Sequence, residues 1–211
     1  MKIQKFEVGP FGENTYLLVK SGEAVVIDPG FSNESEFGLF EKALSESGAE
    51  LIAVVLTHAH VDHILGLTRL LKKYPLDVYL NYSDLYLWNR FPEQATMFGI
   101  QAAKINTEPK ELPVRKDFTL GSFSMDVRYT PGHAPDHVSI YFEQDNVVIA
   151  GDALFKQSIG RTDLYKGDFD LLAKSIRKEL YTLPNETRVL PGHGPETTIG
   201  FEKKNNSFVT G

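Results

Sequence analysis

The histidines constrain this chain more than any other feature, because all six of them fall in three short segments. The first segment, Thr57–His63, reads THAHVDH and holds three imidazoles and one carboxylate in seven residues. His133 and His137 follow a Pro-Gly turn, and His193 stands in the Pro-Gly-His-Gly-Pro turn 191–195. This inventory is what two metal ions need, so a fold for this chain has to bring the three segments together.

Composition limits the remaining possibilities. A chain of 211 residues is expected to form one domain, 1–211, and is long enough to bury a sizeable core. The net charge is −6, and basic residues never cluster beyond two neighbours, which disfavours nucleic acid as a partner. The chain has no cysteine, so a metal site would use nitrogen and oxygen ligands alone. The sequence shows neither an apolar leader nor an apolar run of about 18 residues, so we expect a cytoplasmic protein without membrane contact; its oligomeric state stays open.

Hydrophobic periodicity predicts strands first, then a helix, with the same order repeated in the second half. A helix should pass through Phe37–Leu44 and stop at Gly48, a second should run from Ile64 to Leu71, and a third should span Phe169–Leu180. The predicted strands are Ile3–Val8, Thr15–Val19, Ala24–Asp28, Leu51–Leu56, Phe123–Tyr129, Val138–Phe142, Val147–Ala150 and Arg188–Leu190. Residues 81–117 have no clear period. They predict one or two short helices and a long excursion that forms a substrate wall, a dimer contact or a packed insertion.

The spacing of the ligand-type residues indicates a binuclear site. His58 and His60 alternate after a buried strand, so an extended backbone would point both side chains the same way. Imidazole and carboxylate suit zinc, iron and manganese alike, and a catalytic zinc typically has three protein ligands and a water. Two ions sharing one carboxylate could lower the pKa of a bridging water to roughly 7. Seven candidate ligands fit this scheme: His58, His60, Asp62, His63, His133, Asp152 and His193.

Two further residues lie close to these ligands in sequence. His137 is a candidate for orienting the ligands from behind, with direct ligation as its alternative. Asp136 has the same candidate role, and its alternative is a solvated aspartate in a turn.

The HxHxDH string at 58–63, followed in order by Gly132-His133, Gly151-Asp152 and Gly192-His193, resembles the metallo-β-lactamase superfamily over essentially the whole chain. The resemblance implies an α/β (α+β) fold, the αββα sandwich, with two mixed β-sheets flanked by helices. It also implies that Asp152 bridges the two metals and that Asp62 both binds metal and orients the attacking hydroxide. The implied ligands of one metal are His58, His60 and His133, and those of the other are Asp62, His63 and His193.

Segments 158–164 and 190–198 look like those of the short glyoxalase II-like hydrolases. This likeness implies two divalent metal ions, zinc above all, and a small-molecule thioester substrate of the hydroxyacylglutathione type. Longer members carry a C-terminal helical domain that helps to hold glutathione, which we do not expect in this chain. Arg161 and Lys156 are candidates for binding a carboxylate of the thiol carrier or product. Their alternatives are solvated loop charges and an Arg161–Asp163 ion pair.

Other activities remain open at this level. Gly160–Asp163 also resembles the persulfide dioxygenases of the superfamily, which use a single iron and keep the HxHxDH string. A lactonase or esterase would use the same ligands as a thioesterase. A metal-binding protein without catalysis is the alternative from another class, but such a protein would not need a bridging acid.

Overall fold

The structure is a computed structural model of residues 1–211, and it divides into two compact units. The N-terminal unit comprises Met1–Leu112 with Thr119–Phe123, and the C-terminal unit comprises Pro113–Phe118 with Ser124–Gly211. The expectation of a single domain stays a prediction. None of the helices is both long and apolar enough to cross a membrane.

The sheet of the N-terminal unit has six strands in sequential order. The first three strands pair antiparallel, and the remaining pairs are parallel, so the sheet is mixed. Because β3 and β4 are parallel neighbours, with Ile27 opposite Val55, the chain leaves both strands at the same edge of the sheet. The strands are β1 (Lys2–Val8), β2 (Glu13–Lys20), β3 (Glu23–Ile27), β4 (Glu50–Val55), β5 (Asp77–Leu80) and β6 (Lys110–Glu111).

Five helices accompany this sheet: α1 (Glu34–Ser47), α2 (Val61–Ile64), α3 (Leu67–Lys73), α4 (Tyr86–Asn89) and α5 (Phe91–Met97). Helix α1 confirms the predicted helix. Asn33 caps its first turn by accepting a hydrogen bond from the backbone N–H of Glu36, and Gly48 ends it in the left-handed conformation at φ 65°. The single helix expected over 64–71 is instead two, α2 and α3, separated at Gly66, whose N–H donates to the carbonyl of Pro29 (2.8 Å).

The second sheet has six strands in the order β14-β13-β10-β9-β8-β7. It is also mixed, because β10 and β13 are parallel, whereas β9 pairs antiparallel with both β8 and β10. A separate two-stranded hairpin, β11 and β12, follows β10. The strands are β7 (Phe118–Leu120), β8 (Phe123–Tyr129), β9 (Val138–Phe142), β10 (Val147–Gly151), β11 (Leu154–Phe155), β12 (Ser158–Ile159), β13 (Arg188–Pro191) and β14 (Thr197–Thr198).

The helices of the C-terminal unit are α6 (Phe169–Ser175), continued by a π-helical turn, Ile176–Leu180, and α7 (Ile199–Asn205). Leu172, Ile176 and Leu180 lie in one buried cluster with Val189 of β13 and Ile199 of α7. This packing confirms the apolar face predicted for the helix over 169–180. It also holds β10 and β13 in place. Strand β10 ends at Gly151, directly before Asp152, and β13 ends at Pro191, two residues before His193.

Candidate metal centre

The ligand loop of the N-terminal unit follows β4 directly and ends in α2, for which His60 is the N-terminal cap. His58, His60 and His63 are almost completely buried, whereas the side chain of Asp62 keeps 17% of its surface exposed. Nε2 of His58 lies 3.0 Å from Nδ1 of His60, and Nε2 of His63 lies 4.0 Å from an oxygen of Asp62. The ring centroids of His58 and His63 are 4.1 Å apart, which brings the two pairs together, so four nitrogen and oxygen donors lie close together between residues 58 and 63.

Asp28, at the end of β3, organises this loop from behind. It is buried, with 1% of its surface exposed. Its Oδ1 accepts the backbone N–H of Thr57 (2.7 Å), and its Oδ2 accepts the Thr57 hydroxyl (2.6 Å). The same Oδ2 lies 3.0 Å from Nδ1 of His63. The sequence analysis missed this role. Asp28 follows a predicted strand directly. Because parallel neighbouring strands end at the same edge of a sheet, an aspartate in that place could have been predicted to lie beside the end of β4.

These contacts decide which ring nitrogen of two histidines carries the proton. A carboxylate only accepts hydrogen bonds, so Nδ1 of His63 carries the proton and donates it to Asp28. The hydroxyl proton of Thr57 is used by Asp28, so the Thr57 oxygen accepts from Nδ1 of His58, 3.0 Å away. Both rings therefore present an unprotonated Nε2, the form that a metal requires.

Glu13 lies on the far side of the same network and was also missed in the sequence. Its side chain is completely buried, with Oε1 3.9 Å from Nδ1 of His63, and its Oε2 accepts the hydroxyl of Thr15 (2.8 Å). Burial raises the pKa of the Glu13 carboxyl well above its ordinary value; the nearby charges of Asp28 and Asp62 act in the same direction, while His63 and Thr15 oppose it.

The C-terminal unit brings three of the predicted ligands together by itself. Nε2 of His133 and Nε2 of His193 each lie 3.5 Å from the same oxygen, Oδ2, of Asp152. Asp152 follows β10, His193 follows β13, and these strands are parallel neighbours. His133 comes from the turn after β8. A carboxylate oxygen equidistant from two imidazoles is an arrangement that fits a ligand shared between two metals.

His137 holds the backbone of Asp152 in place. Its Nε2 accepts the backbone N–H of Asp152 (2.9 Å), so its proton is on Nδ1, 2.8 Å from the hydroxyl of Thr130. That hydroxyl lies 3.0 Å from the hydroxyl of Ser139, which in turn donates to the carbonyl of Ala150. Both ring nitrogens of His137 thus have protein partners, as expected of a residue that orients a ligand.

The remaining predicted residues fall into two environments. Asp136 is completely buried, so the alternative of a solvated turn aspartate is wrong. Lys156 and Arg161 are exposed. The guanidinium of Arg161 makes two 2.7 Å hydrogen bonds to the Asp163 carboxylate. This pair lowers the pKa of Asp163 to about 2, with the hydrogen bond as the main cause.

The backbone around Arg161 has a separate role in holding His133. Nδ1 of His133 lies 2.7 Å from the carbonyl oxygen of Arg161; because a carbonyl only accepts, the proton is on Nδ1 and Nε2 is unprotonated. Gly160 makes this close approach possible. A Cβ at Gly160 would lie 1.9 Å from the carbonyl oxygen of Asp152 and 3.0 Å from Nδ1 of His133.

The donor sets fit divalent metals. Ligands bound tetrahedrally to zinc at about 2.0–2.1 Å lie about 3.4 Å from one another. The two 3.5 Å separations around Asp152 match this spacing, and the 3.0 Å separation of the His58 and His60 nitrogens lies slightly inside it. All donors are imidazole or carboxylate, which zinc, iron and manganese accept. Three imidazoles, those of His58, His63 and His133, are held with Nε2 unprotonated.

Residues 8–193 match the metallo-β-lactamase superfamily. The probable metallo-hydrolase YqgX of Bacillus subtilis (strain 168) is 35% identical over 216 residues, covering 100% of this chain and 99% of YqgX. The hydroxyacylglutathione hydrolase GloC of Haemophilus influenzae (strain ATCC 51907 / DSM 11121 / KW20 / Rd) is 32% identical over 212 residues, covering 99% and 98% of the two chains. This chain therefore belongs to the metallo-β-lactamase superfamily.

Two solved structures have the same fold. The BLEG-1 B3 metallo-β-lactamase superimposes with a TM-score of 0.89 at 36% identity, covering 100% of both chains. TTHA1623 in a di-iron-bound form superimposes with a TM-score of 0.87 at 37% identity, covering 98% of this chain and 100% of the other. The predicted fold class, two mixed β-sheets flanked by helices in the metallo-β-lactamase fold, is confirmed.

Proposed function

We propose that this protein is a binuclear metal-dependent hydrolase that cleaves thioesters of the hydroxyacylglutathione type. The observation that carries the proposal is that the chain supplies seven candidate donors and orients three of their imidazoles through its own hydrogen bonds. Asp28, the Thr57 hydroxyl and the Arg161 carbonyl hold three imidazoles in the form that binds metal. The family membership and the 32% identity to GloC support the choice of reaction.

The proposed centre combines the ligand groups of the two units. His58, His60 and His133 would hold one ion, Asp62, His63 and His193 would hold the other, and Asp152 would contact both. Two divalent ions bound here would supply a hydroxide at neutral pH and polarise the thioester carbonyl. Zinc is our first choice, and the di-iron form of TTHA1623 supports iron as the alternative.

Asp62 has a second task in this proposal. Its side chain is the most exposed of the donors in its loop, so solvent and substrate reach it while the neighbouring imidazoles stay buried. Its carboxylate would accept a hydrogen bond from the attacking oxygen and thereby fix the direction of attack. His137 and Asp136 would act through Asp152 and the turn around His133, while Arg161 and Lys156 would meet an anionic group of the substrate.

The test combines metal analysis with turnover, on protein purified without added metal. We expect about two ions per chain, hydrolysis of S-lactoylglutathione, and no oxygen uptake with glutathione persulfide. Asp62→Ala and Asp152→Ala should each abolish hydrolysis and lower the content of at least one metal. Asp77→Ala, which removes an exposed carboxylate paired with Lys110, is the matched control. Full activity of Asp152→Ala with one ion per chain would refute the binuclear mechanism.

A mononuclear iron persulfide dioxygenase is the alternative, and the segment Gly160–Asp163 favours it. One iron per chain with oxygen uptake would establish it and leave His193 without its proposed role. A lactonase or esterase would differ only in the substrate cleaved, so lactones and oxygen esters belong in the same assay.

A further inference from the structure

Helix α5 is connected directly to the ligand loop of the N-terminal unit. The side-chain amide of Gln94 donates one hydrogen bond to the carbonyl of Ala59 (3.0 Å), between His58 and His60. It donates another to the carbonyl of Leu87 (2.7 Å) in α4. The middle of α5 is therefore held beside the loop that carries the histidines.

The turn between β1 and β2 approaches the same loop from another element. A Cβ on Gly9 would lie 3.1 Å from the carbonyl oxygen of Gly30. A Cβ on Gly30 would in turn lie 2.3 Å from the carbonyl oxygen of Asp62. The turn is thus separated from the backbone of Asp62 by little more than one residue.

The turn contains one exposed aromatic side chain, α5 is followed by another, and the two rings are in contact. Phe11, in the turn, is 37% exposed, and Phe98, directly after α5, is 49% exposed. Their ring centroids are 5.0 Å apart in an edge-to-face contact with an interplanar angle of 79°. Met97, beside Phe98 in the chain, is 81% exposed. We call these three residues the Phe11–Phe98 wall.

We propose that the Phe11–Phe98 wall binds the hydrocarbon portion of the thioester substrate and so sets its specificity. Exposed apolar patches of a few hundred Å² are often functional. This patch lies on one helix that hydrogen-bonds to the metal-ligand loop and on one turn that approaches the loop through Gly30. The exposed parts of the three side chains amount to about 300 Å², well below the roughly 800 Å² per partner of a stable protein interface. A small ligand therefore suits the wall better than a second protein. This inference rests on the proposed function for the identity of the substrate.

The hydrocarbon could belong to the acyl group or to the thiol, and two series of probes separate these sources. In the first, S-alkylglutathiones from methyl to hexyl, which cannot be hydrolysed, place the chain on the acyl side and are measured by calorimetry. In the second, acetyl thioesters of alkanethiols of increasing length are measured by kcat/KM. A methylene that is half to fully buried on the wall should improve binding or kcat/KM by about twofold to fourfold.

The variant Phe11→Ala/Phe98→Ala should flatten the dependence on chain length in at least one series, and each single variant should reduce it in part. Leu39→Ala is the matched control, because Leu39 is an apolar side chain of α1 that is 60% exposed. It should keep the wild-type slope. Equal slopes for the wild type and the double variant in both series would overturn the proposal, and so would a wild type without chain-length dependence.

The binding series keeps this test separate from the proposed function. If the wild type hydrolyses no thioester while S-alkylglutathione affinity still depends on the wall, the proposed reaction fails and the binding surface stands. If S-acetylglutathione is hydrolysed equally by the wild type and the double variant while neither series depends on the wall, the reaction stands and the wall fails.

Sedimentation of the wild type and the double variant tests whether the wall binds a second copy of the chain instead. A dimer that dissociates in the double variant, without a change in either slope, would assign the wall to self-association and overturn the proposal.

Discussion

Replacing Asp28 with asparagine should weaken metal binding about 10- to 100-fold while the fold survives. The substitution keeps the shape of the side chain but turns one of its acceptor oxygens into an amide donor. Oδ1 has to remain an oxygen to accept the backbone N–H of Thr57, so the amide would face the Thr57 hydroxyl and Nδ1 of His63. Two donors cannot share that contact, so His63 would move its proton to Nε2, the nitrogen assigned to the metal.

The effect should extend to His58. In Asp28→Asn, the new side-chain amide would donate to the hydroxyl oxygen of Thr57. The Thr57 hydroxyl would then donate its own proton to Nδ1 of His58, 3.0 Å away, so the proton of His58 would move to Nε2. Forcing the wrong tautomer forfeits a hydrogen bond to a charged group, about 1.5–3 kcal/mol. At 1.4 kcal/mol per factor of ten, this range gives about a 10- to 100-fold loss in affinity, the usual effect of losing a residue that orients a ligand.

Metal affinity would be measured by competition with a chromogenic chelator on refilled protein, alongside thermal unfolding of the metal-free form. Asp77→Asn is the control, because it removes one negative charge from an exposed ion pair of the same sheet. Its affinity should match the wild type. Wild-type affinity in Asp28→Asn would refute the reasoning, since it would mean that His63 does not depend on a carboxylate to present Nε2.

Three further predictions concern stability and charge. Gly160→Ala should unfold at a lower temperature and lose metal, because the new Cβ would lie 1.9 Å from the carbonyl oxygen of Asp152. Gly38→Ala is the control, because the Cβ there would meet open space inside α1. It should be neutral or stabilise the fold by up to about 1 kcal/mol. By ¹³C NMR, the Asp163 carboxyl should titrate near pH 2, and its pKa should return toward 3.8 in Arg161→Ala. Because the pKa is lowered, the ion pair is intact above pH 3.8 and is lost as the pH falls through about 2. An unchanged titration in Arg161→Ala would contradict the pairing. Chelation should lower the unfolding temperature by roughly 5–10 °C, since a metal at about 100 times its Kd stabilises by about 2.7 kcal/mol; equal calorimetric melts with and without chelator would argue against bound metal.

Elements with a strong local pattern were predictable. The apolar spacing of α1 with its stop at Gly48, and the alternation along β8, appear in the structure close to the predicted bounds. Short elements were missed, among them β5, a strand of four residues, and β11 and β12, which have two each. Their pairing comes from neighbours already in place rather than from their own residues. The break between α2 and α3 was missed because the contact of Gly66 with Pro29 is not local.

The sequence by itself determined the family and the candidate donors, because the spacing of the histidines, the turn glycines and the residue types are local properties. Only the tertiary structure decided how the donors are oriented. Asp28 acts on Thr57 across 29 positions and on His63 across 35, which requires the parallel pairing of β3 and β4. The partner of His133 is a backbone carbonyl, a group that every residue possesses and that no sequence pattern distinguishes. The contact of Phe11 with Phe98 likewise joins two elements that are distant in the chain, so no local pattern predicts it.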